Sequence, residues 1–458
     1  MFNLVHPYLK LQSQLKKSFS QRRFLLIMIG LIVTSIIDVS LVKINDLIDK
    51  YFIPMQSKLI LFTINSSACL FLQFYLVRYI HDSFQAHPIN RTLRVKSIYV
   101  VSLLSLVVLA VLVGSIIFQQ FYNESYYTSA VIGITVLSYG TAAGFVIWLS
   151  LLFLSWFRSH HDIVVLLYFI SMLVIAFNLI VTATYTSVKV NERPQLAVEY
   201  IGSSGDLSGG SYKLLDNIFR ISSFMSFFSI WITTAILMNY YRERLINAIL
   251  YWVVLSIPLF YFVITYFYQY ILSSLLSSYL EFDPVSVSII LGAFIALSKP
   301  IGGILFGLVF WNISRIIRYE RNIKTYMIIS GWGILLIFSS NQAVTQIVSP
   351  YPPFGLVTTT ILVSASYLML LGIYNSATLV STNNELRRSI HKHALESKLL
   401  GSIGQAEMEM EIQKTVEQIT REKHDLAKDL QEPVELDEME LEKYMKFVIE
   451  EVKKGSKV

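Results

Sequence analysis

Long apolar stretches recur along the chain, and they constrain its fold more than any other feature. Each is about 20 residues or longer, the length that an α-helix needs to cross the hydrocarbon core of a bilayer. Charged residues make up only 15% of the sequence, against about 25% in soluble domains. We therefore expect an all-α, polytopic helical protein of the cell membrane, whose main partner is the lipid bilayer. Ten spans are predicted, at 23–42, 58–80, 97–120, 129–157, 163–185, 217–240, 246–272, 285–312, 325–347 and 355–380.

Positive charges are divided unevenly between the connections, and this predicts the orientation of the spans. Lys and Arg collect on the cytoplasmic side of a membrane protein. The N-terminal segment and the even-numbered connections carry 16 Lys and Arg, whereas the odd-numbered connections carry seven. Both termini are therefore predicted to be cytoplasmic. Because the surplus of positive charge reflects topology, no nucleic-acid partner is expected.

Composition divides the chain into three parts. Residues 1–22 have a basic, amphipathic pattern that suits either a helix lying on the inner leaflet or a simple positive-inside anchor. Residues 23–380 form the predicted ten-helix transmembrane domain. Residues 381–458 are rich in charge and are predicted to form a cytoplasmic helical tail.

The tail has apolar residues at helical spacing over 384–430, with no proline, and Pro433 ends this run. Two short heptad-like stretches favour a helix that seeks a partner, either a coiled coil with a second copy or a cytoplasmic protein. The alternative is a helical hairpin packed under its own membrane domain. The sequence GSIG at 401–404 is expected to weaken the helix, since each glycine costs about 1 kcal/mol relative to alanine.

Motifs for enzymatic chemistry are absent from the sequence. It contains no glycine-rich phosphate loop, no HExxH or CxxC pattern and no Gly-x-Ser-x-Gly nucleophile. His160, His161 and Asp162 lie together in a short connection, where they suit a metal or pH-sensing cluster less well than ordinary solvated loop residues. The sequence therefore predicts no enzyme, no bound metal and no cofactor.

Two ionisable residues within the predicted spans are the sharpest functional signal, because charges are costly in the membrane and often functional. Asp38 lies 15 residues after Arg23, and Lys299 lies 16 residues before Arg315. At about 1.5 Å per residue, both stand roughly 22–24 Å above the inner boundary. Equal depth permits a direct ion pair. The polar core predicted around them, acting as an ion pair, hinge or pathway, also includes Pro300, Gly302, Gly303, Asn178, Asn341 and Gln342.

Pro300 is expected to break or kink the eighth helix, and Gly302 and Gly303 permit a bend or close helix approach. The Lys299 region then suits either a pathway for an ion or solute, or a packing lock neutralised by Asp38. Ten spans also divide into two inverted halves of five, as in many secondary transporters. The third span, the positional mate of the eighth, carries one glycine and no break. This asymmetry weakens the transport interpretation.

The C-terminal third contains the motifs KPIGGILFG, SSNQA, PYPPFG and SYLMLLGIYNSA, followed by LRRSI and ESKLLGSIGQAEMEMEI. In these motifs, over about residues 293–412, the chain resembles a family of uncharacterised archaeal multi-pass membrane proteins. The resemblance implies no catalytic residue. It places Lys299, Pro300, Gly302 and Gly303 in a recurring pattern together with the start of the tail.

The function expected from these features is that of a non-enzymatic sensor or signal-transducing membrane protein. A change at the polar core would shift the last spans, and the tail helix would pass that shift to a cytoplasmic partner. Two alternatives stay open. One is a permease or ion-coupled secondary transporter in which Asp38 and Lys299 line the path. The other is a structural subunit of a membrane complex.

Overall fold

The computed structural model describes the chain at residues 20–48, 55–84, 93–123, 126–191, 210–239, 248–266, 284–317, 321–341, 352–383, 386–387, 390 and 398–430. All regular structure in these ranges is helical. The helices are α1 (Gln21–Ile48), α2 (Met55–Phe84), α3 (Leu93–Asn123), α4 (Thr128–Ser159), α5 (Ile163–Asn191), α6 (Gly210–Asn239), α7 (Ala248–Tyr266), α8 (Pro284–Ile316), α9 (Arg321–Ser340), α10 (Leu356–Thr382) and α11 (Lys398–Leu430).

Nine helices among the described residues, α1 to α6 and α8 to α10, are long and apolar enough to cross a membrane. A tenth helix, α7, has a shorter apolar stretch from Tyr251 to Thr265. The predicted class, a helical multi-pass membrane protein, is confirmed in this coarse form. The first predicted segment, 1–22, lies almost wholly outside the described residues, as does the predicted last tail helix after Pro433.

Helix α10 is the centre of the bundle. It packs against α1, α2, α3, α4, α9 and α11, and the side chains of its whole spanning stretch are buried within the protein. In contrast, only 33% of the spanning stretches of α1 and α3 is buried. Leucine, isoleucine and valine side chains cover their outer surfaces, as expected for helices that face lipid.

Close backbone contacts hold α8, α9 and α10 together. A Cβ atom at Gly307 of α8 would lie 2.8 Å from the carbonyl oxygen of Gly331 in α9. A Cβ atom at Gly333 of α9 would lie 2.6 Å from the backbone nitrogen of Met369 in α10. Only glycine permits such separations. Van der Waals packing, interhelical hydrogen bonds and lipid entropy drive helix association in a bilayer, so these contacts place three helices in a fixed arrangement.

The bundle has two ends that matter for the site. We call the end where α11 contacts α4, α5 and α10 the tail end. We call the opposite end, where α10 begins at Leu356, the entry end. The turn before α10, Pro352–Gly355, is buried rather than exposed. The first turn of α10 therefore lies inside the protein, where its backbone N–H groups need partners.

Candidate functional site at two buried helix ends

Asp38 supplies a hydrogen-bond acceptor to the buried start of α10. Its side chain extends from α1 and is fully buried. The carboxylate oxygen Oδ2 accepts a hydrogen bond from the backbone N–H of Thr358 at 2.8 Å and another from the Thr358 hydroxyl at 2.9 Å. The backbones of Gly355 and Val357 lie close to the carboxylate, while Oδ1 has no hydrogen-bond partner among the described residues. A carboxylate from a different helix thus caps α10.

Charge and geometry explain why this arrangement is favourable. The start of a helix carries a partial positive charge and unpaired N–H groups, so an anion there is stabilised. The N-cap residue of α10 is Gly355, which has no side chain to supply a cap and has a left-handed backbone with φ of 88°. Glycine adopts this conformation without steric cost. The chain thereby turns into α10 and leaves its N–H groups open for Asp38.

Polar side chains from α1 and α2 continue along the first turns of α10. Gln73 donates to the Thr360 hydroxyl at 2.8 Å and accepts from the Ser364 hydroxyl at 3.4 Å. Asn65 donates to the backbone carbonyl of Thr34 on α1 at 3.2 Å. All of these groups are buried. Together with Asp38 they fix the entry end of α10 to α1 and α2, and we call them the Asp38 cluster.

Lys299 belongs to α8, and its side chain contacts a second buried helix end, the last turn of α9. Its Nζ donates to the backbone carbonyl oxygen of Asn341 at 2.8 Å. Asn341 follows α9 directly, and its N–H still bonds the Ile337 carbonyl at 3.1 Å. The end of a helix carries a partial negative charge, which a cation stabilises. Lys299 therefore stands at the end of α9 as Asp38 stands at the start of α10, each with the sign that suits it.

A chain of amides extends from Asn341 across the bundle. Its Nδ2 donates to Asn178 Oδ1 on α5 at 2.9 Å, and Asn178 Nδ2 donates to the Ser222 hydroxyl on α6 at 3.0 Å. Lys299, Asn341, Asn178 and Ser222 form what we call the Lys299 cluster, which links α8, α9, α5 and α6. Gln342, the remaining predicted member of the polar core, lies outside the described residues.

The ion pair between Asp38 and Lys299 that their equal depth permitted is not formed in the described structure. Each side chain has its own partner, Thr358 for Asp38 and the Asn341 carbonyl for Lys299. The salt bridges found among the described residues do not include either one. The prediction treated side-chain charges alone and overlooked the partial charges at buried helix ends, which attract each residue separately.

Pro300 does not break its helix. The helical backbone of α8 runs from Pro284 to Ile316 with Pro300 inside it. A membrane bundle tolerates such a proline where neighbouring groups satisfy the freed carbonyl. Gly302 lies directly beneath the ring of Phe227 from α6, and a Cβ atom at Gly303 would lie 3.0 Å from the Leu335 carbonyl oxygen of α9. These two glycines lie at contacts where a side chain would not fit.

A second set of contacts lies at the tail end, where α11 docks. The indole Nε1 of Trp156 on α4 donates to Glu407 at 2.6 Å, and the Ser402 hydroxyl donates to Asp162 at 2.7 Å. The other carboxylate oxygen of Asp162 accepts from the backbone N–H of Val164 at the start of α5. We call Trp156, Asp162, Ser402 and Glu407 the docking contacts.

The histidines beside Asp162 do not form a metal site in the described part of the chain, where no group of three metal-ligating side chains occurs. His160 Nδ1 lies 3.9 Å from a carboxylate oxygen of Glu409 on α11. The His161 ring lies against that of Phe157. The sequence favoured this connection as a solvated loop, and in the structure Asp162 and His160 lie against α11.

Gly404 allows α11 to approach α10. A Cβ atom at this position would overlap Cγ1 of Val380 near the end of α10. Leu399, Leu400 and Ile403 beside it are buried. The GSIG sequence does not interrupt the helix, since α11 is continuous from Lys398 to Leu430. The packing of the helix on α10 outweighs the low helical propensity of its glycines.

The sequence singled out Asp38, Lys299, Asn178 and Asn341 but missed Thr358, Ser222 and the docking contacts. The run of threonines at 358–360, directly after PYPPFG, was an available signal for a polar helix start. The described site can hold two fixed charges and orient polar groups around them. Comparison of the chain with protein families, with curated proteins and with solved structures gave no match.

Proposed function

We propose that this protein is a signal-transducing membrane protein in which α10 couples the polar clusters at the entry end to helix α11 at the tail end. In this proposal both termini and the tail end are cytoplasmic, as the distribution of Lys and Arg indicates. The entry end then faces outward. The resemblance of the C-terminal third to uncharacterised archaeal membrane proteins agrees with this proposal but adds no activity to it.

One observation carries the proposal: a single buried helix has a specific contact at each end. Asp38 holds the first turn of α10 through the Thr358 backbone and hydroxyl. Val380, in the last turns of the same helix, lies against Gly404 of α11. Because packed helices shift as rigid bodies between discrete arrangements, a displacement of α10 at one end reaches the other.

The docked part of α11 supplies the output of this proposed device. Leu399 to Met410 contact the membrane domain through buried side chains and the docking contacts. Beyond Met410 the described side chains, up to Arg421, are exposed or partly exposed. A cytoplasmic protein partner, or self-association within 384–430, would therefore use the part of α11 beyond Met410.

Hydrogen–deuterium exchange on purified protein tests the coupling. Asp38→Asn keeps the size of the side chain but removes its charge, which weakens its hold on the start of α10. We expect faster exchange of backbone amides in 398–410, far from the substitution. The matched control is Asp216→Asn on α6, which removes a carboxylate from a partly exposed pair with Arg220. That control should leave exchange in 398–410 unchanged.

Exchange in 398–410 that stays the same in Asp38→Asn, while exchange at the start of α10 rises, would contradict the coupling. Deletion of residues 381–458 gives a second test in cells. If the deletion leaves every partner association and phenotype of the full chain intact, the signalling role is wrong. Stoichiometric copurification with other membrane proteins in mild detergent would instead favour a structural subunit.

Transport is the second candidate function, and one observation favours it. Asp38 and Lys299 stand at helix ends inside the bundle, and interrupted helices with such ends form the substrate sites of many transporters. Flux into proteoliposomes, measured for the wild type and Lys299→Met, distinguishes the two functions. Solute flux that depends on Lys299 would make transport the primary role, while absence of flux in both proteins leaves signalling.

A further inference from the structure

The two charged clusters differ in how well their charges are satisfied. Asp38 accepts two hydrogen bonds on Oδ2, at 2.8 and 2.9 Å from Thr358, while its Oδ1 has no partner among the described residues. Lys299 donates one hydrogen bond, to the uncharged carbonyl of Asn341. An ammonium group has three N–H donors. Among the described residues, two donors of Lys299 therefore lack an acceptor and its positive charge lacks a counter-ion.

Further unsatisfied polar atoms lie on the same turn of α9. Asn341 Oδ1 and Ser340 Oγ are buried, and no hydrogen-bond partner reaches either atom within the described structure. Buried polar atoms are usually paired with protein or with ordered molecules. The residues concerned are 340 and 341, and the Asn341 carbonyl is the group that Lys299 contacts. The end of α9 is therefore one of several places in the described chain where buried polar atoms lack a partner, and it is the one that Lys299 contacts.

The surroundings on the tail-end side of Lys299 are apolar and aromatic. The ring of Phe227 covers Gly302, stacks on Phe262 at 4.0 Å between centroids, and contacts Phe306 and Phe338 edge-on. In such a low-dielectric environment an uncompensated charge attracts a counter-ion strongly. The Lys299 side chain is itself partly exposed.

We propose that Lys299 binds a small monovalent anion, such as a halide or a short carboxylate, through the two N–H donors that the Asn341 carbonyl does not take. The ammonium supplies the charge and two N–H donors. Asn341 Oδ1 and Ser340 Oγ supply partners for a water molecule or a donor group that accompanies the anion. As the ligand of a sensor, this anion would deepen the proposed function and rests on it. As a binding site, it stands on the geometry of the Lys299 cluster alone.

Chloride NMR line widths of the purified, full-length protein in detergent test the site. Chloride that exchanges with a protein site gives a broadened signal, and a competing anion reverses the broadening. Gluconate replaces chloride at constant ionic strength, so that general screening does not change. We expect a saturable broadening in the wild type that acetate competes away. Lys299→Met should abolish it, whereas Lys299→Arg should retain it because the charge is kept.

The matched control is Lys189→Met, which removes a lysine near the end of α5 and should leave the saturable broadening intact. Absence of saturable broadening in the wild type, or equal broadening in Lys299→Met, would overturn the anion site. If Lys299→Met fails to fold, the wild-type titration and Lys299→Arg still decide the question. Exchange in 398–410, compared with and without chloride, separates the two proposals: anion binding without a response of α11 supports the site and contradicts the anion's role as the ligand of a sensor.

Discussion

The helices α1 and α3 differ from the helices α8 to α10 in how much of each spanning stretch is buried within the protein. One third of the spanning stretch of α1 and of α3 is buried, whereas the buried share is 56% for α8, 78% for α9 and 100% for α10. The more buried helices carry more glycine, serine and threonine. Lipid contact demands apolar side chains, but contact between helices favours small ones. Apolar character and burial are therefore not equivalent in this protein.

Asp38 is the exception in the peripheral group, since it reaches from α1 to the centre, and removing it should have the largest effect. Asp38→Ala leaves the Thr358 N–H and hydroxyl in a buried environment without their acceptor. We expect a loss of about 3 kcal/mol in the free energy of unfolding, measured by denaturant titration in detergent. Ile36→Ala on the same helix changes a side chain that is 56% exposed. If Asp38→Ala and Ile36→Ala lost the same free energy of unfolding, Asp38 would contribute no more than a peripheral side chain of α1.

Glycine substitutions compare the two groups of helices directly. Gly333→Ala should cost about 2 kcal/mol, because the added Cβ atom would lie 2.6 Å from Met369 N and forces α9 away from α10. Gly114→Ala on α3 adds the same atom where no neighbour lies within 4 Å. It should be neutral or stabilise by up to about 1 kcal/mol, since alanine favours helix. Denaturant titration in detergent measures the free energy of unfolding of both variants. Equal effects would contradict the close packing of α9 on α10.

A smaller and more local effect is expected where the central helix meets α11. Gly404→Ala places a Cβ atom against Val380, whereas Gly401→Ala only approaches Ile390 Cγ2 at an ordinary 3.4 Å. Limited proteolysis within 398–410 should accelerate in Gly404→Ala, by about tenfold for each 1.4 kcal/mol of lost docking energy, and stay unchanged in Gly401→Ala. Acceleration in both variants would show that helix propensity, rather than contact with α10, governs docking.

The spans were predictable from sequence because hydropathy is local: a run such as 97–120 shows its length and apolar character without reference to any other residue. Asp38 and Lys299 were predictable as special for the same reason, as charges within apolar runs. Their partners were not. Thr358 offers Asp38 a backbone N–H, and Asn341 offers Lys299 a backbone carbonyl. Every residue except proline has both groups, and only the position of a helix end makes them attractive to a charge.

The central position of α10 also escaped prediction, because its apolar run resembles the others. A usable signal was the density of small residues, including Gly372 in α10 and the pair Gly303 and Gly307 in α8, spaced four apart. That spacing is typical of close helix contacts in membranes. Of this pair, only Gly303 belonged to the polar core expected from the sequence. For α11, apolar spacing alone could not decide between a coiled coil and docking, since both bury one face of a helix.

Helix α11 runs without interruption from Lys398 to Leu430, and its buried side chains lie between Leu399 and Glu409 among the side chains described up to Arg421. In the proposed function, α11 turns about its close contact with α10 at Gly404, as a lever turns about a fulcrum. The arm from Gly404 to Leu430 is about 39 Å long at 1.5 Å per residue. A tilt of about 5° at the fulcrum would move the tip by about 3 Å. In the proposed signalling function, a small displacement of α10 would thereby be enlarged at the tip of α11 to a size that a binding partner can distinguish.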